Sequence, residues 1–191
     1  MPIFGITASS NMTTKLTDFY QIATATVGSG GISSVEFNNI PADYTHLQVR
    51  FIGKGARAST LTDFVFTINN DSSSSYRRHA LYGDGASAAS YSATSTNGFF
   101  FGRITGSTAT NNFGVGIVDI LDYTNTNKFK TVRALSGADA NGSGEVYLNS
   151  GYWPSTSAIT RLNFYSYDPT PPSGQQSLNQ YSSFALYGIK G

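Results

Sequence analysis

The stretch HLQVRFIG, His46 to Gly53, alternates well. Leu47, Val49 and Phe51 point one way while Gln48 and Arg50 point the other, the period of two that a half-buried strand requires. The same period recurs along the chain. TDFVFTINN places Phe64, Phe66 and Ile68 on one face, and ISSVEFNNI pairs Val35 with Phe37. Phe113, Val115 and Ile117 share a side, as do Val146 with Leu148, Leu162 with Phe164, and Phe184 with Leu186. Stripes of this kind are the sides expected to reach a shared core. Turn-forming runs such as GSGG, YTNTNK and DANGSG separate them, and no segment carries a helical stripe of useful length. The alanine–serine run GASAASYSATS reads as a loop or an extended strand.

The expectation is an all-β chain of roughly nine or ten strands, an antiparallel β-sandwich of jelly-roll-like form, with a closed barrel as the open alternative. Residues 19–191 form one sandwich domain in this reading. Residues 1–18, beginning MPIFG, have no sustained period but carry Ile3 and Phe4. They are expected to be an extended N-terminal arm that orders on a partner. NGFFFG raises a separate question: Phe99 and Phe101 face one side and Phe100 the other, so a second layer or a neighbouring subunit must cover one of them.

Composition narrows the functions. The chain has 191 residues, of which 12% are charged, and a formal net charge of +1. A usual share is about 25%. Twelve scattered basic residues make no stripe for a nucleic-acid backbone. Polarity comes from 25 Ser, 21 Thr and 14 Asn instead. The absence of cysteine excludes disulfides and thiolate chemistry. No apolar run reaches membrane-spanning length, and the start lacks a basic-then-apolar leader. A chain made in soluble form in the cytoplasm, with no membrane or nucleic-acid partner, is expected.

Candidate chemistry is sparse. His46 and His79 are the two histidines, and without cysteines a metal centre would need carboxylates that show no motif. His79 sits beside Leu81 in YRRHALYG and is expected to be a satisfied structural imidazole. Asp119 and Asp122, or Glu36 and Glu145, suggest paired acids only on paper. Asp139, Asn141, Ser143 and Glu145 alternate as a calcium loop begins, but the distal glutamate is missing. No cofactor or metal is expected. Tyr152 and Trp153, with Tyr165 and Tyr167 nearby, suggest a surface-recognition loop for glycan. The alternative is that Trp153 folds back as a lid on one end of the sandwich.

Three segments, in order, carry a resemblance. VEFNNIPADYTHLQVRFIGKGAR matches through Ile40, Pro41, Tyr44, His46, Leu47 and Arg57. INNDSSSSYRRHALYGDGASAAS matches through Ile68, Asn69, Asp71, Tyr76, His79, Leu81, Tyr82, Gly83 and Gly85. The closing strands match through Ile159, Leu162, Phe164, Phe184, Leu186, Tyr187, Gly188 and Ile189. Together they resemble β-rich virion domains of tailed bacteriophages, cyanobacterial phages especially. The resemblance implies a non-enzymatic protein of the capsid surface or the tail fibre, and it carries no catalytic residues. It makes Pro41, Tyr44, His46 and His79 fold determinants.

A single domain with a short arm suits decoration or cementing of a capsid. The expected partners are the major capsid protein and further copies of the chain, as dimer or trimer. Met1, Pro2, Ile3, Phe4, Leu16 and Phe19 would supply the interface. A tail-fibre module that recognises host glycan is the alternative.

Overall fold

The computed structural model describes residues 18–72, 76–95, 97–140, 142–170 and 173–191. Among the described residues thirteen strands follow one another: β1 (Phe19–Thr26), β2 (Val35–Phe37), β3 (His46–Gly53), β4 (Leu61–Ile68), β5 (Tyr76–Gly83), β6 (Ala88–Ser95), β7 (Phe99–Thr105), β8 (Gly114–Leu121), β9 (Lys130–Asp139), β10 (Gly144–Trp153), β11 (Leu162–Asp168), β12 (Gly174–Gln176) and β13 (Ser183–Ile189). The count exceeds the sequence expectation. β6 occupies the alanine–serine run, and β12 is only three residues long.

The strands form two antiparallel sheets in a sandwich-like arrangement. The larger has the order β1-β13-β3-β8-β9-β10-β5-β6, and the smaller β12-β11-β4-β7, with β2 also paired to β11. Each sheet ends in edge strands, so the barrel alternative does not hold. One bridge between Lys54 and Thr105 ties the end of β3 to the end of β7.

Phenylalanines build the core. Phe51 and Phe184 from the larger sheet meet Phe64, Phe66, Phe99, Phe101 and Phe164 from the smaller, all buried. Ring centroids lie 4.8 Å apart for Phe51–Phe64 and for Phe64–Phe101. Tilted and edge-on pairs of this kind add about 0.5–1.5 kcal/mol each beyond their buried area.

Phe100 answers the question raised by NGFFFG. It lies in a second buried cluster with Val65 and Tyr165 from the far face of the smaller sheet and Ala80 and Tyr147 from the larger. The larger sheet therefore curls past the β7 edge, and β10, β5 and β6 cover the far side of β7. The covering layer is the chain itself.

A β-bulge marks this junction. Phe64 pairs with Gly102 and Val65 with Phe100, which leaves Phe101 unpaired. The Phe101 carbonyl leaves the ladder and accepts Ser136 Oγ at 3.0 Å and Asn149 Nδ2 at 3.1 Å. Gly102 has φ +137°, and a Cβ there would lie 1.8 Å from Ser136 Oγ. Only glycine fits both the conformation and the approach.

Two stripes face the opposite way from expectation. Val115 and Ile117 of β8, and Val146 and Leu148 of β10, lie on the outer face, 38–57% exposed. The inner positions of β8 hold Gly114 and Gly116, where added Cβ atoms would meet Ile104 and the Phe51 ring at 2.8 and 2.5 Å. In β10 the inner Gly151 leaves room for the Phe99 ring, 2.4 Å from a built Cβ. At these glycines the core is filled by phenylalanine and isoleucine from neighbouring strands; β8 reaches the core itself through Val118 and Ile120, and the aliphatic pairs Val115–Ile117 and Val146–Leu148 are left outside.

Candidate functional site

Of the expected interface residues, Met1, Pro2, Ile3, Phe4 and Leu16 lie outside the described residues. Phe19 opens β1, is 43% exposed, and lies under the Arg50 guanidinium at 5.7 Å.

The expected recognition loop is not assembled. Tyr152 and Trp153 are the last residues of β10, so they point to opposite faces. Tyr152 is exposed and stacks on Phe129, with centroids 5.8 Å apart. Trp153 is 3% exposed and donates its indole N–H to Asp71 Oδ2 at 2.7 Å. Of the two readings of Trp153, the inward one describes the structure. Tyr165 is buried, donates to the Asn97 carbonyl, and burial pushes its hydroxyl pKa up to about 12. Tyr167 is half-buried and accepts Asn97 Nδ2 at 3.0 Å.

The residues read as fold determinants act locally. The Pro41 carbonyl accepts the Tyr123 hydroxyl. Tyr44 packs on the bare backbone of Gly188, where a Cβ would lie 2.3 Å from its ring. His46 Nδ1 accepts the backbone N–H of Asp122 at 3.0 Å. Asp122 has φ +47°, so His46 holds a left-handed turn residue after β8. His79 departs from expectation. It shares a face with Leu81, but that face is the outer one, and both are exposed. Arg78 and Ala80 point inward instead, with the Arg78 guanidinium 4.3 Å over the Phe100 ring.

The acids are engaged in structure. Arg103 Nε reaches Asp63 at 3.1 Å and its Nη1 reaches Glu145 at 2.7 Å, joining β7, β4 and β10. Burial raises the Asp63 pKa against the opposing pull of Arg103. Asp119 pairs with Arg133 at 2.8 Å and Glu36 with Arg161 at 2.7 Å. Among the described residues no cluster of three or more His, Asp or Glu is placed to hold a metal ion.

What the pairing registers do assemble is an apolar face. Ile117, Leu135, Leu148 and Leu81 stand opposite one another across β8, β9, β10 and β5. They are 38%, 53%, 48% and 54% exposed. The adjacent row reads Ile52, Val115, Gly137, Val146, Gly83. On the other side lies a polar row: Gln48, Asp119, Arg133, Ser150, His79. At the glycine-bearing end the face dips into an open depression of about 770 Å³. Ile52, Val115 and Val146 are among its lining residues, as are Asp84, Asn111 and Asp139.

No protein-family model, curated protein or solved structure matches this chain.

Sequence reasoning missed the face as a surface. It grouped Val115 with Ile117 and Val146 with Leu148 correctly, but as core. The available signal was in GVGIVDIL itself: the side opposite Val115 and Ile117 begins with two glycines and then carries Val118 and Ile120, a second apolar stripe that could claim the core.

Proposed function

We propose that this chain is a non-enzymatic structural protein of a virion, a decoration or cement protein on the outer surface of a capsid shell. The observation that carries the reading is the exposed aliphatic row Ile117–Leu135–Leu148–Leu81, flanked by Ile52, Val115 and Val146. Contiguous apolar surface on this scale marks an association surface. The three-segment resemblance to phage virion domains supplies the setting. In this reading Met1, Pro2, Ile3, Phe4, Leu16 and Phe19 contact the major capsid protein, and the sandwich bridges neighbouring positions on the shell. Symmetry multiplies each modest contact. A jelly-roll-like wrapping is part of the proposal. The first four connections, from β1 to β5, each change sheet, which supports it. The β8-β9-β10 meander is a local addition.

A tail-fibre module that binds host glycan is the second reading, favoured by the exposed stack of Tyr152 on Phe129. Trp153 and Tyr165 no longer belong to it, since both are buried.

Antibody against the purified chain, applied to particles from a lysate of the phage that encodes it, tests the choice. Even labelling of the shell is expected. Labelling at the tail tip selects the fibre reading, and particles that take no label reject both.

A further inference from the structure

We propose that the outer face of the larger sheet, across β8, β9, β10 and β5, packs on the same face of a second copy of this chain about a two-fold axis. This names the partner of the association surface on which the virion reading rests.

Area is the first argument. Seven aliphatic side chains, Ile52, Leu81, Val115, Ile117, Leu135, Val146 and Leu148, are each 38–57% exposed. They leave on the order of 600 Å² of apolar surface, the upper end of what monomeric proteins carry. The polar row beside them brings the face to the roughly 800 Å² per partner of a standard stable contact.

Charge is the second. The two apolar rows carry one charge, Arg50 at the margin, whose guanidinium already lies over Phe19 and Tyr187. In the polar row Asp119 and Arg133 neutralise each other at 2.8 Å. Such a face offers nothing to a polyanion or to a strongly charged peptide. The two apolar rows meet their copies without like-charge repulsion, the acids Asp84 and Asp139 lying at the depression beyond them.

Relief is the third. In the row Ile52–Val115–Gly137–Val146–Gly83, projecting side chains alternate with notches. A Cβ built on Gly137 meets nothing closer than 3.6 Å, and on Gly83 nothing closer than 3.5 Å, so the notches are open. A two-fold contact sets this relief against itself, with valines of one copy over glycines of the other. Face-to-face sheets pack in this way about 10 Å apart.

Sedimentation of the full chain over a concentration series tests the proposal. A dimer is expected at about 100 µM, with Leu135→Asp and Leu148→Asp each raising the dissociation constant at least about tenfold. Both positions are about half exposed, so melting temperature and circular dichroism should hold; Leu135→Ser and Leu148→Ser serve as milder versions. A monomeric wild type overturns the proposal, as does a trimer. A dimer untouched by these substitutions, or one abolished by removing residues 1–17, overturns it too. The isolated chain dimerises without any capsid, so sedimentation and particle labelling fail independently.

Discussion

Asn149 donates its side-chain amide to the carbonyl of Phe101 across 3.1 Å, from β10 in one sheet to the bulge of β7 in the other. Asn149 is fully buried, paired with Ala134 and Ala80 on the neighbouring strands. A polar side chain there is tolerated because the bulge frees a carbonyl that would otherwise be orphaned.

That relationship makes the bulge a weak point for substitution. Asn149→Ala should lower stability by about 1–3 kcal/mol, since Ser136 alone then serves the carbonyl. Gly102→Ala should lower it by more, on the order of 3 kcal/mol or above, because positive φ and the Ser136 contact both oppose a side chain. Urea unfolding midpoints measure both. A loss at Gly102→Ala smaller than at Asn149→Ala would contradict the close approach of β7 to β9.

Trp153 is the chain's single tryptophan, buried and bonded to Asp71. Its emission should be blue-shifted in the folded protein and move red on unfolding. Trp153→Phe should cost about 1–2 kcal/mol for the lost bond and volume, and Trp153→Ala about 3–5 kcal/mol. Adding simple sugars should leave the emission unchanged, which a stacking role in glycan binding would not.

Lys130 is fully buried, and its ammonium donates to the carbonyls of Asn125, Lys128 and Thr156. Burial lowers its pKa. Replacing it with Met removes the buried charge but strands three carbonyls. The stranded carbonyls should dominate, with a loss of about 1–3 kcal/mol. Thermal unfolding of Lys130→Met checks this, and an equal or higher melting temperature would show that water reaches those carbonyls.

Acid should unfold this protein through its turns. The Asp84 carboxylate accepts the backbone amides of Ser87 and Ala86 at 2.7 and 2.9 Å, which lowers its pKa. Asp168 is lowered by the Thr170 amide and then by Arg57, and Asp122 by its hydrogen bond from Lys128. A carboxyl with a lowered folded pKa stabilises above its unfolded value, and that stability goes as pH falls through the folded pKa. Asp63 runs the other way: its raised pKa favours the fold at low pH, and that benefit fades as pH rises through it. Glu36 is lowered too, by its hydrogen bond from Arg161, so among the described residues four groups oppose one and stability should fall as pH drops below about 4. Asp84→Asn should flatten the fall and Asp63→Asn should steepen it, read by denaturant unfolding at stepped pH.

Some of the fold was legible because one residue pattern had one physical solution. In β3 one side is apolar throughout and the other is polar except for Ile52 at its end, so Leu47, Val49 and Phe51 had to face the core, and all three are buried. In β8 and β10 the aliphatic stripe was equally plain and lies outside. Whether a stripe is core depends on what arrives opposite it, here Phe51 and Ile104 over the β8 glycines and Phe99 over Gly151. The recognition residues failed for a related reason. Adjacent positions in a strand face opposite ways, so Tyr152 and Trp153 could serve one surface only in a loop.

By itself the sequence determined the strand-rich class, because period-two alternation recurring in segment after segment admits no amphipathic helix. It also determined the low charge and the absence of thiol chemistry, since composition needs no geometry. Only the tertiary structure decided which apolar face is buried. A strand's register is fixed by distant pairing and by rings from the other sheet, and the same alternation serves either face until those partners are in place.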